Sequence, residues 1–133
     1  MRTVLLADAA ATVRAVLRAV LDRDCLSFVE AADSTSALAI VKEQRPALVV
    51  MDLDIPPAGG LELITLIRQI NDDVPVIVLA LRDSTLEGRP CFARGADELL
   101  LKPVDPARLV ACVDEALGTS MGAGLGAITA GHR

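Results

Sequence analysis

The sequence contains no tryptophan and no tyrosine, and only two phenylalanines, Phe28 and Phe92. Stacking platforms for bases or sugars need aromatic faces, so sites of that kind are excluded. The core must be aliphatic. There is one histidine, His132, beside the last residue, which excludes histidine-based catalysis and histidine metal cages. The three cysteines (Cys25, Cys91 and Cys112) are odd in number, far apart and without a C-x-x-C pair. A disulfide framework or a zinc site is therefore not expected, and a reducing compartment is the simpler reading. Basic residues are also in the minority, 13 against 18 acidic, for a formal net charge of −5. A nucleic-acid footprint needs a basic face, so no nucleic-acid partner is expected. No apolar run approaches the roughly 18 residues of a membrane span, and no cationic segment leads into an apolar one. A cytoplasmic domain with no membrane partner is expected.

What is present is hydrophobicity: 53% of the 133 residues. A chain of this length suits one domain and buries roughly two thirds of its unfolded surface. Residues 3–7 form a short apolar run ending at Asp8, the pattern of a strand buried on both faces. Val13, Val16, Leu17, Val20 and Leu21 then recur at helical spacing. A second strand is predicted over 27–31. Ser34 is the expected cap of a helix burying Ala37, Leu38 and Val41, which must end before Pro46. The third strand, 47–51, runs into Asp52, and a Pro-Pro-Ala-Gly-Gly loop leads to a helix over 61–70 with Leu63, Ile64, Ile67 and Ile70 inward. Strand four is 75–79. The next helix falls within 83–95, where Gly88 and Pro90 should interrupt it. Strand five, 99–101, runs into Lys102-Pro103. Asp105 followed by Pro106 signals a last helix burying Leu109, Val110, Val113 and Leu117.

Strands alternating with helices in this way predict an α/β fold: a flavodoxin-like, doubly wound, five-stranded parallel sheet, (βα)5, with helices on both faces. Residues 1–118 form that domain. Residues 119–133 are Gly/Ala-rich, lack a reliable period and are expected to be a flexible tail, with no second domain there. In such sheets the binding crevice lies at the carboxyl ends of the strands. Asp8, Asp52 and Lys102 all fall at strand ends. Two carboxylates and a lysine suit a hard divalent cation and a phosphoryl group: magnesium takes oxygen ligands, a carboxylate can act as nucleophile, and an ammonium balances phosphoryl oxygens. Taken singly, each of the three reads more readily as a solvated strand-end acid or a surface charge; the three in this order, with their neighbouring loops, point to the site.

These stretches resemble the receiver domain of two-component response regulators. The resemblance covers residues 2–117 and is carried by VLLAD (4–8), PALVVMDLDIPPAGGLEL (46–63), PVIVLALRD (75–83) and GADELLLKPVDPARL (95–109). It implies that Asp52 accepts a phosphoryl group from a histidine kinase with Mg2+ beside it, and that Lys102 pairs with that group. Pro56, Gly60 and Lys102-Pro103 match the family pattern, the last usually with a cis peptide bond. The implied partners are a histidine kinase or phosphotransfer protein and a downstream partner protein, with a homodimer left open. The implied role is that of a signalling domain rather than an enzyme.

Four positions depart from the family. The second acid after strand one, normally a metal ligand, is Ala9. Mg2+ binding by Asp8, Asp52 and Asp54 should accordingly be weak, with Asp54 either partly replacing the lost charge or serving as a solvent-facing loop acid. Ala80 stands where a hydroxyl is usual, Leu99 where an aromatic is usual, and Gly88 and Pro90 lie in the helix often used for dimerisation and output. Two readings follow: a phosphorylatable receiver with a weakened switch, or a pseudo-receiver that docks without regulated phosphorylation. A small flavodoxin-like enzyme or nucleotide binder would need a Gly-rich phosphate loop after strand one, and Ala9-Ala10-Ala11-Thr12 offers none.

Overall fold

Ten elements alternate along the chain: β1 (Arg2–Ala7), α1 (Ala11–Leu21), β2 (Leu26–Ala31), α2 (Ser34–Gln44), β3 (Leu48–Asp52), α3 (Gly60–Ile70), β4 (Val76–Ala80), α4 (Thr85–Arg94), β5 (Glu98–Leu101) and α5 (Pro106–Leu117). The structure, a computed structural model, describes residues 1–81 and 85–118, the side chains of residues 85–87 excepted. The expected tail, 119–133, lies outside the described residues. All strand pairs are parallel, in the order β2-β1-β3-β4-β5. The order reverses between β1 and β3, so the crevice at the carboxyl ends opens there.

The unbroken apolar strands have a direct cause. Each strand sends alternate side chains to opposite faces, and helices cover both. Leu5, Val49, Met51 and Val78 pack with Ala37, Val41, Leu63, Ile64, Ile67 and Cys91 on the side of α2, α3 and α4. Val4, Leu6, Val50 and Leu79 pack with Leu17, Leu21, Leu109, Val113 and Leu117 on the side of α1 and α5. No helix among the described residues is long and apolar enough to cross a membrane.

Four local expectations are corrected. Val16 is 60% exposed, because α1 covers the sheet with Leu17 and Leu21 and turns Val16 outward. Ile70, at the end of α3, is also exposed. Asp33, not Ser34, caps α2: its Oδ1 accepts the Ser36 N–H at 2.7 Å. Those amide hydrogen bonds hold the Asp33 carboxyl below its usual pKa. Lastly, α4 continues through Gly88 and Pro90. Burial of Cys91 in the core and of Gly88 outweighs the local propensity, as tertiary packing commonly does.

The end of the sheet opposite the crevice is fastened by one guanidinium. Arg68 of α3 donates to the carbonyls of Gly95 (2.7 Å), Asn71 (3.2 Å) and Val74 (2.6 Å), and to Asp97 Oδ2 at 3.1 Å. Asp97 Oδ2 also accepts the Val76 N–H at 2.8 Å, which joins the start of β4 to the approach to β5. Gly95 has φ +117°, and a Cβ there would stand 2.8 Å from Arg68 Nε. Replacing Arg68 with methionine keeps most of the stem but strands several carbonyls. A loss of about 3 kcal/mol in urea unfolding is expected, and a change below about 0.5 kcal/mol would show that the fastening is not needed.

Candidate functional site

The three strand-end residues picked out by the sequence meet at the carboxyl edge. Asp8 follows β1 and is 3% exposed; Asp52 ends β3 and is 8% exposed. Lys102 follows β5, and its Nζ donates to Asp8 Oδ2 at 2.8 Å and to Asp52 Oδ1 at 3.1 Å. The backbone holds this arrangement. Lys102 N–H donates to the Ala80 carbonyl at 2.7 Å, and Leu53 N–H to the Leu79 carbonyl at 2.8 Å, so hydrogen bonding to β4 continues past the ends of β3 and β5. The Lys102-Pro103 peptide bond is cis. Asp8 Oδ1 accepts the Ala10 N–H at 2.8 Å, which turns the chain toward α1.

Burial alone would pull the Lys102 pKa down. Hydrogen bonds from its ammonium to Asp8 and Asp52, together with their negative charges, outweigh burial and hold it above the ordinary lysine value. The side chain therefore stays charged across the neutral range, with 14% exposure.

Asp54 is not drawn into this cluster. It is exposed, and its side chain makes no hydrogen bond or ion pair among the described residues. Among those residues, no three His, Cys, Asp or Glu side chains are grouped to hold a metal ion. Ala80 is buried beside the site and presents only backbone polar groups. Leu99 is half-buried and packs against the core on the α2–α4 side, where a Cβ on Gly88 would lie 3.4 Å from its Cδ2.

Two further residues support the site and escaped the sequence reading. Arg14 of α1 donates to the Asp8 carbonyl at 2.6 Å and to Glu30 Oε1 at 2.7 Å, bracing the β1–α1 turn. The hydrogen bond with Arg14 is the main cause of a lowered Glu30 pKa. Ser34 is buried and bonds to the loop after Asp52. The helical position of Arg14, one turn before Arg18, was a signal available for the first; Ser34 was picked out only as a helix cap, a role that Asp33 fills instead. Gly60, which begins α3, has no room for a side chain: a Cβ would stand 2.6 Å from the Leu53 carbonyl oxygen.

Residues 4–114 match the response regulator receiver domain as a family. The chain is 37% identical over 100 residues to the response regulator MprA of a Mycobacterium species, covering 75% of this chain and 44% of that protein. It is 39% identical over 83 residues to the transcriptional regulatory protein PrrA of Mycobacterium tuberculosis, covering 62% of this chain and 36% of that protein. The chain thus spans less than half the length of these curated relatives. Among solved structures, a LuxR-family two-component response regulator from Aurantimonas superposes with TM-score 0.81 at 30% identity, covering 91% of this chain and 89% of that one. The chemotaxis response regulator CheY4 of Vibrio cholerae gives TM-score 0.81 at 25% identity, covering 88% and 99%.

Removing the ammonium as Lys102→Met leaves two buried carboxylates without a counter-charge. A loss of about 2 kcal/mol at neutral pH is expected in urea unfolding, less than for a fully enclosed pair because Lys102 is partly open to water. The raised Lys102 pKa stabilises the fold fully below the unfolded value near 10.5, and that contribution disappears as pH rises through the folded value. The Lys102→Met protein should show less of this alkaline loss. Equal slopes for the two proteins above pH 10.5 would contradict the assignment.

Proposed function

Because the chain belongs to the response regulator receiver domain family, we propose that it relays a two-component signal by accepting a phosphoryl group on Asp52 with Mg2+ at the same site. The observation that carries this reading is Lys102 Nζ between Asp8 and Asp52 at the carboxyl edge, at 2.8 and 3.1 Å. In the reaction, an Asp52 carboxylate oxygen attacks the phosphorus of a phosphohistidine. The P–O bond forms as the P–N bond breaks; its electron pair leaves with the imidazole, which takes a proton from solvent. Lys102 then balances the charge of the phosphoryl oxygens.

The donor set fits magnesium, which takes one or two carboxylates and completes its octahedron with water and phosphate oxygens. Asp8 and Asp52 would hold it, with Asp54 as an outer contributor of charge. When bound, the ion would neutralise negative charge on the phosphoryl group. Ala9 supplies no third anionic oxygen, and weak binding follows. The donor is a histidine kinase or a phosphotransfer protein, the readout goes to a downstream partner protein, and the setting is cytoplasmic. Self-association belongs to the same proposal as one route for that readout. With Ala80 in place of a hydroxyl and Leu99 in place of a ring, phosphorylated and unphosphorylated states differ in few contacts. The equilibrium between them therefore shifts little on phosphorylation.

An acyl phosphate with Mg2+ tests the reading by mass spectrometry: one phosphoryl adduct on the wild-type protein and none on Asp52→Asn. An unlabelled wild type, under conditions that label another receiver, would instead favour a pseudo-receiver that signals by docking alone. Magnesium titration of Asp54→Ala addresses the outer acid. Its dissociation constant should rise about threefold, consistent with losing one solvent-screened charge, and an unchanged value would remove Asp54 from the metal set.

A further inference from the structure

The loop from Asp52 to Gly60 carries the nucleophile at one end and the start of α3 at the other. Its inner end is held by its own backbone. Gly60 N–H donates to the Leu53 carbonyl at 2.7 Å, Gly59 N–H to the Ile55 carbonyl at 2.8 Å, and Ile55 N–H to the Asp52 carbonyl at 3.3 Å. Its outer end, residues 56–58, is exposed and is held by a different element. Ser34, the first residue of α2, donates its N–H to the Pro56 carbonyl at 2.7 Å, and its Oγ accepts the Ala58 N–H at 3.1 Å.

Two features distinguish this from an ordinary helix start. Asp33 already supplies the side-chain cap, through the Ser36 N–H, so the Ser34 hydroxyl is not used to close the helix. Ser34 is also 4% exposed, one of only three polar or charged residues buried among those described; the other two are Asp8 and Asp52. A buried hydroxyl is retained at a desolvation cost, and here its bond goes to the loop that begins at the nucleophile.

We infer that Ser34 is a positioning residue for phosphoryl acceptance, fixing the outer end of the loop so that residues 53 and 54 keep their place beside Asp52. The inference rests on the reading of Asp52 as phosphoacceptor. It concerns Asp52 and the outer acid Asp54, which the loop carries together: magnesium tolerates little departure from octahedral geometry, so a loosened loop that lets Asp52 shift lowers affinity for the ion. Ser34 acts through that loop and does not touch the reacting atoms.

The experiment compares wild type, Ser34→Ala, Ser34→Gly and Ser34→Thr by Mg2+ titration, followed through amide NMR shifts without any phosphodonor, and by acyl-phosphate labelling over a range of Mg2+ concentrations. Circular dichroism melts check folding. Deleting the hydroxyl removes one of the two tethers. The Mg2+ dissociation constant and the Mg2+ concentration for half-maximal labelling should both rise, by a factor on the order of three to ten, as for one neutral hydrogen bond. The labelling rate at saturating Mg2+ should stay near wild type, and threonine should restore both values. A folded Ser34→Ala or Ser34→Gly protein with wild-type Mg2+ dependence would overturn the inference while leaving the phosphoacceptor reading intact. A wild-type protein that neither binds Mg2+ nor labels would overturn both. If neither deletion variant folds, a Ser34→Thr protein that folds with wild-type Mg2+ dependence supports the inference, and one whose affinity falls although the hydroxyl is kept overturns it.

Discussion

Two carboxylates buried at the ends of adjacent strands repel each other, and keeping them together away from water calls for a positive charge between them. Lys102 supplies that charge, and the surrounding structure serves to bring it there. Asp8 and Asp52 lie on neighbouring strands because β1 sits beside β3, while Lys102 arrives from β5, two strands from β3. Its reach depends on the backbone bond from Lys102 N–H to the Ala80 carbonyl, which carries the β4–β5 pairing past the last strand residue. The sheet order is thus a condition for charge balance as well as for core packing.

The two ends of the sheet are organised in opposite ways. At the carboxyl end, one ammonium faces two carboxylates and keeps some contact with water, so its charge remains available to a newcomer. At the other end, Arg68 spends its donors on the carbonyls of Asn71, Val74 and Gly95 and on Asp97. A guanidinium can satisfy several acceptors at fixed angles, which a lysine cannot. Arginine therefore suits the end where several carbonyls converge, and lysine suits the end where one charge faces two carboxylates. Between them the aliphatic layers on both faces of the sheet hold the strand ends in register.

This division also explains what could be read from sequence. Strands buried on both faces appear as continuous apolar runs, so β1, β3 and β4 were visible to within a residue or two, and Asp8, Asp52 and Lys102 were visible as the polar residues that end such runs. Ser34 and Arg68 were not, because their partners are largely backbone groups far along the chain, and a carbonyl acceptor leaves no mark on residue identity. Pro90 misled for a related reason. Helix propensity is local, whereas the buried Cys91 that stabilises α4 makes its contacts with distant parts of the core. Asp54 shows the limit from the other side: the resemblance pointed to it as a contributor to the metal site, whereas its exposed side chain lies in the turn after β3, where no strand pairing fixes its direction.

Alanine at position 9 has a consequence for the charge at this edge. A third carboxylate at this edge would leave the cluster of Asp8, Asp52 and Lys102 with a net charge of −2 rather than −1. A cation that bound the folded form alone would then add to its stability by mass action. With alanine at position 9, one ammonium offsets half the carboxylate charge, and a single negative charge remains uncompensated. Ala80, buried beside the same edge, adds no side-chain donor there, and Leu99 packs as an aliphatic against the core. Lys102, set between Asp8 and Asp52, therefore has less carboxylate repulsion to offset at this edge than a third acid at position 9 would bring.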